Sequence, residues 1–560
     1  MQKDFLYFKN RFIHHVGCLF ILTIALSQDH EIWSYNQNIY EVNTRQFTHS
    51  GTFAEFEAHL DRLQDLGAGI LYFMPIHPIG IQNRLGSLGS PYSVRDYLDV
   101  NPEFGTLEEF VALVDSIHAR GMYVIMDWVA NHTAWDNPLT VSHPEWYVTD
   151  GQGNFIPPPG TGWSDVIQLD YGEQGLRDYM IQTMAYWITE ADIDGFRIDA
   201  VSFVPDNFWP GAIAQLKAIK PEILMLAEDD GTQYQSLGFD MTYAWGLYGF
   251  GNGVLQRMAD GVDDAIDLAN YLNNELNYYS DQHYRMYFTS NHDENSWYGT
   301  VFERFGAAAE AFAALTATMN SLPLIYGGQE AGLDQSLAFF DKDEIDWQAH
   351  PFENMYSTLF HLKKENRALW NGGNGGLLQR ITTTNNSRIF SFVRESEDDK
   401  VFAVFNLSAS FTGATLIDTL FHGTYADVFS GDTTTFDETT TVTMPAWSYH
   451  IYEQITPDLS VDETPVQPID FHLWQNYPNP FNPVTTIQYD IPFVSHVKIA
   501  VFDITGRWVT TLVDERQISG KKSVTWNGKD QSGENVSSGV YICRMDAGNS
   551  NTTRQMVLLR

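Results

Sequence analysis

From Ile39 to Glu330 short apolar runs alternate with amphipathic stretches, and no other feature restricts the fold so strongly. The runs include Ile39 to Val42, Ile70 to Met74, Tyr123 to Met126, Phe196 to Ile198, Ile223 to Ala227, Met286 to Thr289 and Leu324 to Tyr326. Their length and apolar character read as strands. Between them, segments such as Phe53 to Leu66, Leu107 to Arg120 and Leu176 to Glu190 carry helical apolar spacing. A strand-then-helix repeat builds a parallel sheet, because parallel neighbours need a crossover long enough to hold a helix. The repeat covers roughly 300 residues and nearly every run ends in polar side chains, so the expected fold class is α/β, a closed (β/α)8 TIM barrel with its active site at the C-terminal strand ends. The competing arrangement is an open doubly wound sheet. No Gly-x-Gly-x-x-Gly follows the first run, which removes the best support for that alternative.

A chain of 560 residues is too long for one ordinary domain, and its 44% hydrophobic content can fill a large core. The expected divisions are a signal peptide at 1–27, the barrel at 28–372, a β-sandwich at 373–453, a linker at 454–470 and a β-rich module at 471–560. Within the barrel, 131–176 is rich in Pro, Gly, Trp and Asp and reads as an irregular β3-α3 loop excursion over the mouth. Beyond Trp370, Ile389 to Val393, Val401 to Phe405 and Ser448 to Tyr452 alternate with Thr-, Gly- and Asp-rich turns, as in an antiparallel sandwich. Acidic residues and prolines without a clear apolar period mark the linker.

The formal charge is −39, from 32 basic against 71 acidic residues, which repels phosphate backbones and excludes nucleic acid as a natural partner. At the start, Lys3, Lys9 and Arg11 precede an apolar run from Val16 to Leu26, too short to span a membrane, followed by an Ala25-x-Ser27 spacing. This predicts an export signal cleaved before Gln28, with no transmembrane anchor; the competing reading is a buried N-terminal helix. Cleavage would also remove Cys18 and leave Cys543 alone, so that no intramolecular disulfide forms.

The chemistry sits at the ends of the runs. The third ends in Asp127-Trp128-Val129-Ala130-Asn131-His132, the fourth in Gly195-Phe196-Arg197-Ile198-Asp199, the fifth in Leu226-Ala227-Glu228 and the seventh in Ser290-Asn291-His292-Asp293; Ser90 to Tyr97 stands upstream. Taken singly, an Arg-x-Asp or His-Asp pair is more often a surface ion pair than a catalytic one. At successive strand ends of a barrel, Asp199, Glu228 and Asp293 converge on one pocket, which suits glycoside chemistry: one carboxylate attacks or stabilises while another donates a proton. Arg197, two residues before Asp199 and so on the same strand face, is expected to keep Asp199 ionised at neutral pH. Glu228, with apolar Met225 to Ala227 before it and no adjacent cation expected, is better placed to have a raised pKa and serve as general acid, then base.

These four blocks, in this order, resemble those of the α-amylase family of retaining glycoside hydrolases, family 13, over roughly Ile39 to Tyr452. The resemblance implies Asp199 as nucleophile, Glu228 as acid/base and Asp293 as the transition-state-stabilising third carboxylate. It makes Arg197 the nucleophile's partner, His132 and His292 hydrogen-bond partners of the sugar beside the scissile bond, Tyr92 its stacking aromatic and Asp127 the supporting acid. It also implies Asn131 as a ligand of a structural calcium. Gln168 stands where a carboxylate is expected for that ion, so the expectation is that no cofactor is required. Ser202 and Phe203 occupy positions where many starch-degrading members carry lysine and histidine, and Ala200 resembles members cutting α-1,4 bonds. Trp128, Trp135, Trp146 and Trp163 lie in or beside the excursion, where they serve equally well to stack on sugar or to pack the loop.

At the C-terminus, Gln475 to Pro483, Val497 to Gly506, Ser538 to Tyr541 and the basic end Arg554 to Arg560 resemble the sorting domain read by type IX secretion machinery. A starch-binding β-module is the alternative, with only Trp474, Trp508 and Trp526 as stacking candidates. Together these resemblances imply a secreted hydrolase of α-1,4 bonds in starch or maltooligosaccharides, exported through the periplasm to the surface or medium. A cyclodextrin or pullulan hydrolase, a glucanotransferase and a catalytically silent glycan-binding protein are the alternatives.

Overall fold

The computed structural model describes residues 30–455, 471–492, 495–517, 520–547 and 550–559. The expected signal peptide and nearly all of the expected linker lie outside these residues. The chain divides into two compact units between Thr456 and Pro457.

Eight parallel strands close into the expected barrel. In chain order the strands are β1 (Ile39–Val42), β2 (Ile70–Phe73), β3 (Tyr123–Val129), β4 (His132–Ala134), β5 (Val166–Gln168), β6 (Gly195–Asp199), β7 (Leu224–Ala227), β8 (Met241–Tyr243), β9 (Tyr284–Phe288) and β10 (Leu322–Tyr326). Of these, β4 and β5 form a separate antiparallel ribbon in the excursion, and the other eight make the barrel in the order β1-β10-β9-β8-β7-β6-β3-β2. Nearly all barrel-strand residues are buried. Packed lumen on one face and helices on the other leave no solvent side, which explains the uninterrupted apolar runs. At the head of β6, Gly195 is required by close approach: a Cβ there would lie 2.1 Å from the Leu224 carbonyl oxygen on β7.

The helices follow their sequence signals closely. Leu107–His118 opens on a Thr106/Glu109 capping box and buries Phe110, Leu113, Val114 and Ile117. The segment expected as one helix from Phe53 to Leu66 is instead two, Phe53–Glu57 and Leu60–Leu66. β8 is a barrel strand that no sequence run announced, because three residues are too few to establish a pattern.

The barrel continues into an antiparallel domain. A six-stranded sheet contains Ile389–Ser396, Asp399–Asn406 and Tyr449–Gln454 at its centre, and a two-stranded sheet pairs Thr412–Thr415 with Thr441–Met444. Arg394, fully buried, ties this sheet to the barrel by donating to the carbonyls of Met319 (2.8 Å), Trp370 (2.7 Å) and Gly376 (2.7 Å). The second unit is a three-stranded and a four-stranded antiparallel sheet around its own core of Ile487, Tyr489, Ile499, Val501, Trp526 and Met545. Cys543 is buried there as a free thiol. Among the described residues no helix is long and apolar enough to cross a membrane.

Candidate active site

Six barrel strands deliver a buried polar network to the C-terminal face. Asp127 on β3 lies beside Arg197 on β6 in the strand register, and its carboxylate accepts from Arg197 Nη1 at 2.8 and 2.9 Å. Tyr72 on β2 and Tyr92 from the following loop donate their hydroxyls to Asp127 Oδ2 at 2.7 and 2.8 Å. Asp199, two residues past Arg197 on the same face, takes Nη1 at 3.2 Å. Glu228 stands one residue beyond β7, the strand next to β6, and its Oε1 pairs with Arg197 Nη2. Ala200 turns the chain into the left-handed region (φ 44°, ψ 44°), which aims its N–H at Glu228 Oε2, 2.6 Å away.

Two sequence expectations need correction here. Glu228 does have an adjacent cation, because neighbouring parallel strands bring its carboxylate to the same guanidinium as Asp199. Nor does Arg197 hold Asp199 low: burial, followed by repulsion from Glu228, raises the Asp199 carboxyl well above its ordinary range despite the guanidinium. One positive charge is divided among three carboxylates, with Asp127 taking the two-oxygen contact. Burial likewise lifts Glu228, to about 7, against the downward pull of Arg197. Two crowded carboxyls of this kind retain a proton near neutrality.

Beyond β9 stand His292 and Asp293, at the start of helix His292–Tyr298, which Asn291 caps by accepting from the Glu294 N–H at 2.7 Å. His292 bridges three acidic or phenolic groups: Nδ1 to Glu41 on β1, and Nε2 to Tyr92 Oη at 2.7 Å and Asp293 Oδ2 at 3.4 Å. Burial opposes its charge, yet Asp293 and Glu41 outweigh it and raise the imidazole to about 9. Asp293 is 31% exposed, the most open of the three carboxylates. His132 on β4 is buried too, and burial lowers it to about 4. At neutral pH one histidine is a cation and the other a neutral ring. Tyr92 lies nearly parallel to Phe339, 6.0 Å between centroids, and stacks on His292 at 5.4 Å.

A family model of the alpha amylase catalytic domain matches residues 33–154 and 161–374, well over half of the chain. The chain belongs to the alpha-amylase family. It is a glycoside hydrolase, and residues 381–458 match the alpha amylase C-terminal all-beta domain. Alpha-amylase 3 of Dictyoglomus thermophilum is 25% identical over 464 residues, 70% of this chain and 89% of that protein. A cyclomaltodextrinase of a Bacillus species is 26% identical over 373 residues, 62% of this chain, which spans 64% of the relative's length. The crystal structure of a noncanonic maltogenic alpha-amylase from Thermotoga neapolitana superposes with a TM-score of 0.68 at 28% identity, covering 75% of this chain and 99% of that one. Residues 475–559 match the secretion system C-terminal sorting domain, which marks this amylase-family chain for export to the cell surface or beyond.

Three residues of the network escaped the sequence reading. Tyr72 and Tyr243, whose hydroxyl accepts from Arg197 Nε at 3.2 Å, resemble ordinary core aromatics within apolar strands. Glu41 gave a real signal, a carboxylate inside the fully buried run Ile39–Val42, which only a lumen-facing partner could satisfy. The tryptophans divide: Trp128 and Trp146 are core, whereas Trp163 is 38% exposed.

The calcium expectation meets a poor donor set. Asn131 Oδ1 accepts from Gln168 Nε2 at 3.2 Å, an amide pair joining the two strands of the β4–β5 ribbon's base. Among the described residues no three His, Cys, Asp or Glu side chains gather as a metal site. Calcium takes six to eight oxygens, several of them charged, and Asn131 with Gln168 does not fit it.

Proposed function

We propose that this amylase-family chain is a retaining hydrolase of α-1,4 glucosidic bonds in starch or maltooligosaccharides, and that it works without a cofactor. The observation that carries the reading is the meeting of Asp199 and Glu228 on one guanidinium. Two carboxyls held by one arginine supply the neighbouring nucleophile and acid/base that a double displacement needs. In this reading the one proton the pair keeps sits on Glu228, lifted to about 7, so that Asp199, its carboxylate held by Arg197, attacks the anomeric carbon while Glu228 protonates the departing oxygen. The glycosyl ester on Asp199 is then opened by water, whose proton returns to Glu228. Asp293 grips sugar hydroxyls, and the His292 cation donates to the sugar where positive charge on the ring is not growing. Neutral His132 hydrogen-bonds the same sugar. Arg197 and Asp127 position the nucleophile.

Export completes the reading: a signal peptide to the periplasm, then passage by type IX machinery that reads the C-terminal module. The cyclomaltodextrinase similarity favours cyclodextrin hydrolysis as the second substrate reading. Product analysis on maltoheptaose, pullulan, isomaltose and cyclodextrin separates them. The proposal expects maltoheptaose to be cut and isomaltose to be left intact, and Asp199→Asn to lower turnover by about four orders of magnitude with the barrel still folded. Cleavage of isomaltose in preference to maltoheptaose would contradict the bond assignment.

A further inference from the structure

Away from the catalytic groups, a cavity of about 130 Å³ opens where the barrel meets the antiparallel domain. Its walls come from the helix Ala265–Tyr278, the loop leading to β9, β9 itself, and the strands Gln379–Ile381 and Ile389–Ser396. It surrounds the start of β9, whereas His292 and Asp293 stand beyond the end of that strand. The reaction above makes no use of it.

Two wall residues carry a buried N–H with no acceptor. Arg380 stacks its guanidinium on Phe390, 4.4 Å from the ring centroid. Its Nη atoms donate to the carbonyls of Ala265 and Asn386, each at 3.0 Å, while Nε is buried without a partner among the described residues. Burial lowers this guanidinium to about 10, against the pull of Asp264, as expected of a cation whose direct contacts are carbonyls. The second residue is His283, 4% exposed and kept neutral because burial lowers it to about 3. Thr242 Oγ1 must accept from Arg285 Nη1, since a guanidinium only donates. The Thr242 hydroxyl is then left to donate to His283 Nε2, 3.0 Å away. The ring proton therefore sits on Nδ1, which is also buried and without a partner.

The neighbouring charges are already committed. Arg285 gives Nε and Nη2 to the two oxygens of Glu275, at 2.6 and 3.2 Å, and lies over the Tyr279 ring. Asp281, the other carboxylate on the walls, is exposed to solvent. What remains is one cation and one neutral N–H that lack an anion, bordered by the apolar surface of Leu272, Leu276, Leu378 and Phe390. Size then limits the occupant. An apolar cavity of about 150 Å³ holds benzene, so this one admits a single six-membered ring with its polar group at the donors.

We propose that this cavity binds a small carboxylate carried on a flat apolar ring, with the carboxylate on Arg380 and His283 and the ring against Phe390 and the leucines. Because the walls belong to both the barrel and the antiparallel domain, the occupant holds the two together.

The test uses the full chain and benzoate, followed by ligand-observed NMR titration and by thermal unfolding. Benzoate should occupy one site with Kd on the order of 1 mM, and at tenfold excess over Kd it should raise Tm by about 1–2 °C. Acetate, which lacks the ring, and benzamide, which lacks the charge, should each bind about tenfold more weakly. Arg380→Gln should weaken benzoate about tenfold. Ala269→Phe fills the cavity from the helix Ala265–Tyr278 and leaves Arg380 in place; it should abolish binding, and it decides the matter if the glutamine variant does not fold. A wild-type chain with no saturable benzoate signal, or benzoate bound as tightly after Ala269→Phe as before, would overturn the site. Displacement of benzoate by maltose would overturn it as well, since the cavity would then be taking sugar rather than a carboxylate.

Discussion

Arg197 answers three carboxylates with one charge, and the consequence is a proton held on the Asp199 and Glu228 pair. For Glu228 the sign can be worked through. Its carboxyl is raised in the folded chain from 4.5 to about 7, burial being the main cause. Between those values the folded state binds more protons than the unfolded state, so this residue makes stability fall as pH rises through the window. Glutamine cannot ionise. Denaturant unfolding of Glu228→Gln should therefore show an advantage over the wild type on the order of 1–3 kcal/mol at pH 8 that disappears near pH 4.5. A difference independent of pH would contradict the assignment of that proton. Activity should lose its acid catalyst over the same range, with kcat/KM declining above about pH 7.

At the level of elements, most barrel strands were legible because burial on both faces leaves unbroken apolar runs, and the helices because apolar spacing and caps agree. β8 was not, being only three residues long, and the Phe53 to Leu66 helix broke where no glycine or proline warned of it. The site was legible where polar residues end apolar runs: Asp127, Arg197, Asp199, Glu228, His292 and Asp293. What the sequence hid were lumen partners contributed by distant strands. Glu41 and His292 are separated by 251 positions, and no local pattern joins them. The cation beside Glu228 was hidden for the same reason, since it comes from the neighbouring strand, although the expected rise of the Glu228 carboxyl is found. In the excursion, the Asn131–Gln168 amide pair stands where the family resemblance implied a calcium ligand. A chelator should then shift Tm by less than about 3 °C and leave most activity. Complete loss of activity, restored by calcium, would show that other oxygens assemble a cation site.

Over the whole molecule the two units have separate hydrophobic cores, which makes catalysis and export separable properties. The fragment Gln28 to Glu453 should fold and cleave maltoheptaose at nearly the full-length rate. If the C-terminal module also held insoluble glucan, that fragment would lose activity on starch granules alone, since attachment raises the local catalyst concentration; equal rates on both substrates fit an export role by itself. What unites the barrel, the network and the family membership is the claim that Asp199 and Glu228 perform two successive displacements at one carbon. Proton NMR of maltoheptaose cleavage in its first minutes tests this most directly. The account predicts that the newly formed reducing ends appear as the α-anomer and only later mutarotate, whereas initial release of the β-anomer would contradict it.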